Sequence, residues 1–133
     1  MTLRALLAPL VVAMAAACGD ADDRPARWSY VHTAIIRPSC STASCHSTLT
    51  ALNGLDLSTR DSAYTFFTGR VCGAPVLPGE PPGNYVFPGQ PERSQLIHLL
   101  QGENVDVMPP DGPLPDVEIE IVERWILEGA SCD

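Results

Sequence analysis

The chain has 133 residues, of which 45% are hydrophobic and 18% charged, and this length fits one small domain rather than two. The 13 prolines and 10 glycines, with only 6% aromatic residues, argue against a long coiled coil, a helical repeat or a large parallel sheet. The formal net charge is −8 and lysine is absent, which argues against nucleic-acid binding through neutralised phosphates.

The N-terminal segment predicts export. Residues 1–17 carry one charge, Arg4, and then an apolar run too short to span a bilayer, which indicates a signal peptide. The run ends in three alanines before Cys18, which resembles a bacterial lipobox, where the cysteine is acylated and becomes the first mature residue. The alternative is an ordinary secretory signal, with Cys18 discarded or free. Residues 18–27 are predicted to be a flexible tether to a domain over 28–133. We therefore expect an exported protein, lipid-anchored on the periplasmic side of a bacterial membrane or at the cell surface.

Helical spacing and boundary signals predict four short helices in this domain. They are Trp28 to Arg37, stopped by Pro38; a helix with Ser58 and Asp61 as its capping box and Gly69 as its stop; Pro91 to Gly102; and Pro115-Asp116 to Gly129. Long loops rich in Pro and Gly separate the helices, above all Gly73 to Pro91 and Asn104 to Pro115. Short helices and long loops make a poor core on their own, so we expect something to fill the middle.

The stretch Cys40-Ser-Thr-Ala-Ser-Cys45-His46 carries the chemistry. Covalent attachment of c-type haem uses two thiols that add across the vinyl groups, and a His next to the second Cys as axial ligand. The usual spacing is C-x-x-C-H, whereas here four residues separate the cysteines, all of them small enough to bulge outward. Two alternatives remain open. One is a Cys40–Cys45 disulfide, and the other is zinc held by Cys40, Cys45, His46 and a fourth ligand.

The order of the features resembles that of small class I cytochromes c. A helix with an aromatic residue precedes the Cys-Cys-His loop, a Met follows in a Pro-rich loop, and a helix bearing Trp125 closes the chain. Several stretches are similar to the cytochrome c domains of planctomycete and myxobacterial secreted proteins, over about Tyr30 to the C-terminus. They are Ile36-Arg-Pro-Ser-Cys40, Cys45-His46, Gly54-Leu-Asp-Leu57, Phe87-Pro-Gly-Gln-Pro-Glu-Arg-Ser-Gln-Leu96, Met108-Pro-Pro110 and Trp125-Ile-Leu-Glu-Gly-Ala130.

The resemblance implies a mainly α, cytochrome c-like fold of three to four short helices with long Pro/Gly-rich loops around one covalent haem c. Cys40 and Cys45 would be the thioether attachment points, His46 the proximal iron ligand and Met108 the distal one. The longer C-x4-C-H spacing leaves open whether two thioethers form, or one through Cys45, or none.

Two other histidines are alternatives to Met108 as second ligand. His98 lies on the predicted third helix and His32 on the first. A His on a helix is more often a surface or hydrogen-bonded residue than a ligand, so we rank both below Met108.

The last two cysteines, Cys72 and Cys132, predict a disulfide, because an even pair in a small exported domain usually forms a bridge. The alternative is two free thiols. A bridge would join the long loop to the C-terminus.

The function that follows from the resemblance is one-electron transfer with a redox partner protein. No Ser-His-Asp order or phosphate-binding glycine loop is visible, so we expect an electron carrier rather than an enzyme; a peroxidase-like activity would need an open sixth position on the iron. The acidic surface would favour a basic partner through electrostatic steering. The alternative is a haem-free surface lipoprotein, stapled by two disulfides, that acts as a binding or structural module.

Overall fold

The computed structural model of this chain describes residues 21–75, 83, 85–103 and 106–133. The predicted signal peptide and Cys18 lie outside these residues. Within the described part there are four helices and no strand, which confirms the mainly α class. Helix α1 comprises three consecutive stretches, which are the α-helical turn Trp28–Tyr30, the π-helical Val31–Ile36 and the α-helical Arg37–Cys40. The others are α2 (Arg60–Thr68), α3 (Gln95–Gln101) and α4 (Asp116–Leu127), and 3-10 turns occupy Ala21–Asp23, Leu52–Gly54 and Pro91–Arg93.

Helix α1 continues through Pro38, so the prediction that this proline ends the helix is wrong. A proline inside an α-helix lacks a donor, and its ring meets the carbonyl four residues earlier. Here the turn before Pro38 is π-helical, with the N–H of Arg37 donating to the carbonyl of His32 five residues back. This wider turn accommodates the ring, and the helix goes on to Cys40. The first cysteine of the motif therefore lies at the end of a helix rather than in a loop.

The boundaries of α2 follow local capping rules with a shift of one residue. Thr59, rather than Ser58, is the N-cap, and its hydroxyl accepts a hydrogen bond from the N–H of Ser62 at 3.1 Å. Ser58 instead accepts from the N–H of Thr48 at 2.9 Å, which ties α2 to the loop after α1. At the other end, Gly69 has φ +69°, the left-handed conformation that commonly ends a helix, as predicted.

The last two helices lie close to their predicted positions. Pro91 opens a 3-10 turn, and α3 itself begins at Gln95. Gly102 ends α3 with φ +70°. Helix α4 begins directly after Pro115 and buries most of its apolar face, including Ile121, Val122 and Ile126.

Two tryptophans form the centre of the core. The rings of Trp28 in α1 and Trp125 in α4 stack with their centroids 4.9 Å apart, and both side chains are fully buried. The indole N–H of Trp28 donates to the carbonyl of Arg60, and that of Trp125 to the carbonyl of Ser131, so neither buried donor is left unpaired. Tyr64 from α2 packs against Trp28 at 5.6 Å. The first, second and last helices therefore meet around one aromatic cluster.

The ends of the domain are tied to its helices. The predicted disulfide between Cys72 and Cys132 is confirmed, with the Cα atoms 5.3 Å apart. Asp133 accepts hydrogen bonds from the backbone N–H and the hydroxyl of Ser29 at the start of α1. Ala21, in the segment before α1, is buried, and Arg124 of α4 donates to its carbonyl at 2.8 Å.

Candidate cofactor site

A cavity of about 840 Å³ lies between the loop after α1, helix α2 and helix α3. This volume falls within the range of roughly 300–1,000 Å³ that is typical of sites for small molecules and cofactors. Most of its wall is aliphatic or aromatic. The apolar lining residues are Leu55, Leu57, Phe66, Phe67, Tyr85, Phe87 and Leu99. The cavity lies beside the tryptophan core, next to the loop that carries His46.

The structure brings the four predicted cofactor residues to this one place. Cys40, His46 and Met108 all line the large cavity. The same three residues and Cys45 line an adjoining space of about 60 Å³, together with Leu52. Residues far apart along the chain thus meet at a shared wall.

The residues between Cys40 and Cys45 form a turn that bulges away from the cavity. The N–H of His46 donates to the carbonyl of Cys40 at 3.1 Å and closes the loop. Within it, the N–H of Cys45 donates to the carbonyl of Thr42 at 3.0 Å, which makes a tight turn. Thr42, Ala43 and Ser44 are exposed, so the inserted residues extend toward solvent rather than into the cavity.

Two consecutive hydrogen bonds connect the backbone of His46 through Leu57 to His32 in α1. The N–H of Leu57 donates to the carbonyl of His46 at 2.8 Å. The carbonyl of Leu57 in turn pairs with Nε2 of His32 at 3.0 Å. His32 is buried, and this burial lowers its pKa. His32 therefore links α1 to the segment that positions His46.

His46 lines the cavity, and one nitrogen of its ring lacks a hydrogen-bond partner. Its Nδ1 is buried and has no hydrogen-bond partner among the described residues. A buried polar atom without a partner costs about 1–3 kcal/mol, so this ring position is unfavourable as the described residues stand. In c-type haem sites an imidazole nitrogen and a Met thioether sulfur bind the iron and Cys thiols provide the attachment points, so the residue types present fit that group.

Of the three candidates for the second iron ligand, only Met108 lines the cavity. Its backbone N–H donates to the carbonyl of Leu99 at 2.9 Å, which fixes the Met loop against α3. Nε2 of His98 instead pairs with the carbonyl of Glu92 at 3.2 Å, and His32 bonds to Leu57 as described.

The two motif cysteines are free thiols, so the alternative Cys40–Cys45 disulfide is not formed. Burial, with a smaller effect of the neighbouring Cys45 thiol, raises the pKa of Cys40 to about 11. The Cys40 sulfur is therefore protonated near neutral pH. Nowhere in the described residues do three His, Cys, Asp or Glu side chains come together to hold a metal ion, as the zinc alternative requires.

One lining residue was not among the predicted site residues, although it lies in the stretch from Phe87 to Leu96. Arg93 lies at the cavity wall, and its guanidinium carbon is 5.1 Å from the ring centroid of Phe87. Its position depends on the turn that starts at Pro91.

Comparisons of the chain with protein-family models, with curated proteins and with solved structures find no match. No helix in the described ranges is long and apolar enough to cross a membrane. The chemistry of the site itself is therefore the basis for a function.

Proposed function

We propose that this chain is an exported mono-haem c-type cytochrome that carries out one-electron transfer. The observation that carries the proposal is that Cys40, His46 and Met108 line one largely apolar cavity, with Cys45 beside them. When bound there, haem would supply a one-electron couple between ferric and ferrous iron.

In this proposal His46 and Met108 would hold the haem iron. The hydrogen bonds from Leu57 to His46 and from Met108 to Leu99 hold both backbones, so the two side chains approach from separate segments. A thioether ligand and an apolar wall both favour the less charged, reduced state. We therefore expect a reduction potential on the higher side for a haem protein.

The state of the two motif cysteines supports covalent attachment. Both are free thiols, and the high pKa of Cys40 keeps this side chain protonated and slow to oxidise at neutral pH. In an oxidising compartment this matters, because a Cys40–Cys45 disulfide would remove both attachment points. The disulfide elsewhere in the chain, between Cys72 and Cys132, supports such a compartment and hence export.

The charge distribution supports a basic redox partner. Residues 103–133 contain nine acidic side chains and one basic side chain, Arg124. Two of these acids, Asp106 and Asp111, are exposed on the same loop as Met108. A negative field near the cavity would steer a positively charged protein toward it.

The experiment is to produce the protein in a host with the haem-attachment machinery, and to compare wild type with Met108→Ala. Wild type should have a Soret band and sharp α and β bands after dithionite, all surviving acid-acetone extraction. Its intact mass should include one haem, and also reports the lipid on Cys18. In Met108→Ala, the ferric absorption band of sulfur ligation should disappear while the haem stays attached.

The matched control is His98→Ala, which removes a competing ligand outside the cavity and should leave the spectrum unchanged. A colourless wild-type protein would contradict the proposal and favour the haem-free module. An unchanged Met108→Ala spectrum would exclude Met108 as the ligand, and binding of carbon monoxide to ferrous wild type would indicate an open position.

A further inference from the structure

We propose that Arg93 binds a carboxylate of the molecule that occupies the cavity. The site would then take a flat apolar ligand with an acidic edge, of the porphyrin carboxylate class. This inference rests on the proposed function and adds an anionic subsite to it. Among the described residues that line the cavity, Arg93 is the only arginine, and none is Asp or Glu.

The guanidinium of Arg93 is oriented but not neutralised. It lies over the ring of Phe87, with the guanidinium carbon 5.1 Å from the centroid, a cation–π arrangement that holds the group in place. Its Nη1 donates to the amide Oε1 of Gln90 at 2.7 Å. Within the described part of the chain, no carboxylate lies at ion-pair distance from it. Most of its five N–H donors therefore remain available to a ligand.

The surroundings make an acidic ligand group the best match. The chain as a whole has a formal charge of −8, so an anionic ligand would be repelled unless a cation met it locally. The other polar lining residues next to the apolar wall include the neutral amides Asn53 and Gln95, which add donors without competing charge. A planar guanidinium binds a carboxylate through two parallel hydrogen bonds, which a neutral ester cannot reproduce as well.

The test compares two probes that differ only in this acidic edge, and neither can form thioethers. They are iron(III) mesoporphyrin IX, whose vinyl groups are replaced by ethyl groups, and its dimethyl ester. Each is titrated by Soret absorption into the full chain made without the haem-attachment machinery. Wild type should bind the diacid about tenfold more tightly than the diester, the low end for a charge-assisted hydrogen bond.

The variants are Arg93→Gln, Arg93→Lys and the control Arg27→Gln. Arg93→Gln should bind the diester as wild type does, which shows that it is folded, but lose the preference for the diacid. Arg93→Lys should keep part of this preference, because lysine keeps the positive charge but lacks the planar guanidinium that forms two parallel hydrogen bonds. Arg27 is exposed and does not line the cavity, so Arg27→Gln removes the same charge and should keep the full preference.

The outcomes separate this inference from the proposed function. Equal affinities of wild type for the two probes, or an Arg93→Gln variant that retains the preference, would overturn the Arg93 subsite and leave the haem cavity standing. If wild type binds neither probe, the subsite is overturned, whereas the proposed function fails only if wild type made with the haem-attachment machinery is also colourless.

Discussion

Single residues outside the cavity determine its shape, and His32 is the clearest case. Its buried ring pairs with the carbonyl of Leu57, whose own N–H donates to the carbonyl of His46. Leu57 also lines the cavity. One side chain of α1 thus stabilises both a cavity wall and the backbone of the predicted proximal ligand.

At this scale we predict that His32→Gln lowers the free energy of unfolding by about 1–3 kcal/mol at pH 7.5, because a buried hydrogen bond is disturbed. The variant should also lose part of the pH dependence. Burial lowers the pKa of His32 in the folded state, so below about pH 6.5 the unfolded chain takes up this proton more readily. In wild type this makes the free energy of unfolding fall as the pH falls.

The measurement is denaturant unfolding at pH 7.5 and pH 5.0. The decrease between the two pH values should be smaller in His32→Gln than in wild type. Thr33→Gln, an exposed change on the same helix, should behave as wild type. An identical decrease in His32→Gln and wild type would rule out the contribution of His32.

At the scale of elements, the close approach between the long loop and α2 is the feature that shapes the cavity. A Cβ on Gly83 would lie 2.3 Å from the carbonyl oxygen of Thr68, at the end of α2. The chain then continues with the N–H groups of Tyr85 and Val86, which both donate to the carbonyl of Phe67. This contact places Tyr85 on the cavity wall.

We therefore predict that Gly83→Ala is more destabilising than Gly89→Ala. The first forces a backbone shift, with a cost of about 3 kcal/mol. The second has open space around it and strains only its positive φ, with a cost of about 1–2 kcal/mol. Thermal unfolding of both variants measures the difference, and iron mesoporphyrin affinity should fall only in Gly83→Ala. Equal stability of the two variants would contradict the contact.

Some helix boundaries could be predicted from the local sequence, and others could not. Gly69 and Gly102 end their helices as predicted, because a left-handed glycine acts within one turn of chain. The passage of α1 through Pro38 was not predicted, because it depends on a π turn and on burial of residues such as Ile35 and Ile36. Packing of that face outweighs the local cost of the proline.

For the molecule as a whole, the Cys72–Cys132 bridge joins residues 60 positions apart and encloses the cavity-forming segments 85–101. Cross-linking a loop of this length restricts the unfolded chain and contributes about 4 kcal/mol. We predict a loss of about this size in the double variant Cys72→Ala/Cys132→Ala, measured by guanidinium unfolding.

The control for this prediction is Asp133→Ala, which removes the hydrogen bonds to Ser29 and the attraction to Arg60 but leaves the bridge intact. These bonds are exposed, so the loss should be about 1 kcal/mol or less. A double variant no less stable than Asp133→Ala would contradict the role of the bridge.

What the sequence determined by itself is whatever depends on neighbours along the chain. The glycine stops, the mainly helical class and the pairing of the last two cysteines follow from local conformational energies and from cysteine number. The adjacency of Cys45 and His46 likewise predicted a candidate site from neighbours along the chain alone.

Only the tertiary structure decided what meets across long loops. It brought Met108 to the cavity of His46, turned His32 and His98 away from it, and added Arg93 to its wall. The physical reason is that loops rich in Pro and Gly carry no periodic signal for where they go. Their paths follow from backbone contacts such as Met108 to Leu99, and from burial of the apolar faces around Trp28 and Trp125, which are properties of the packed domain.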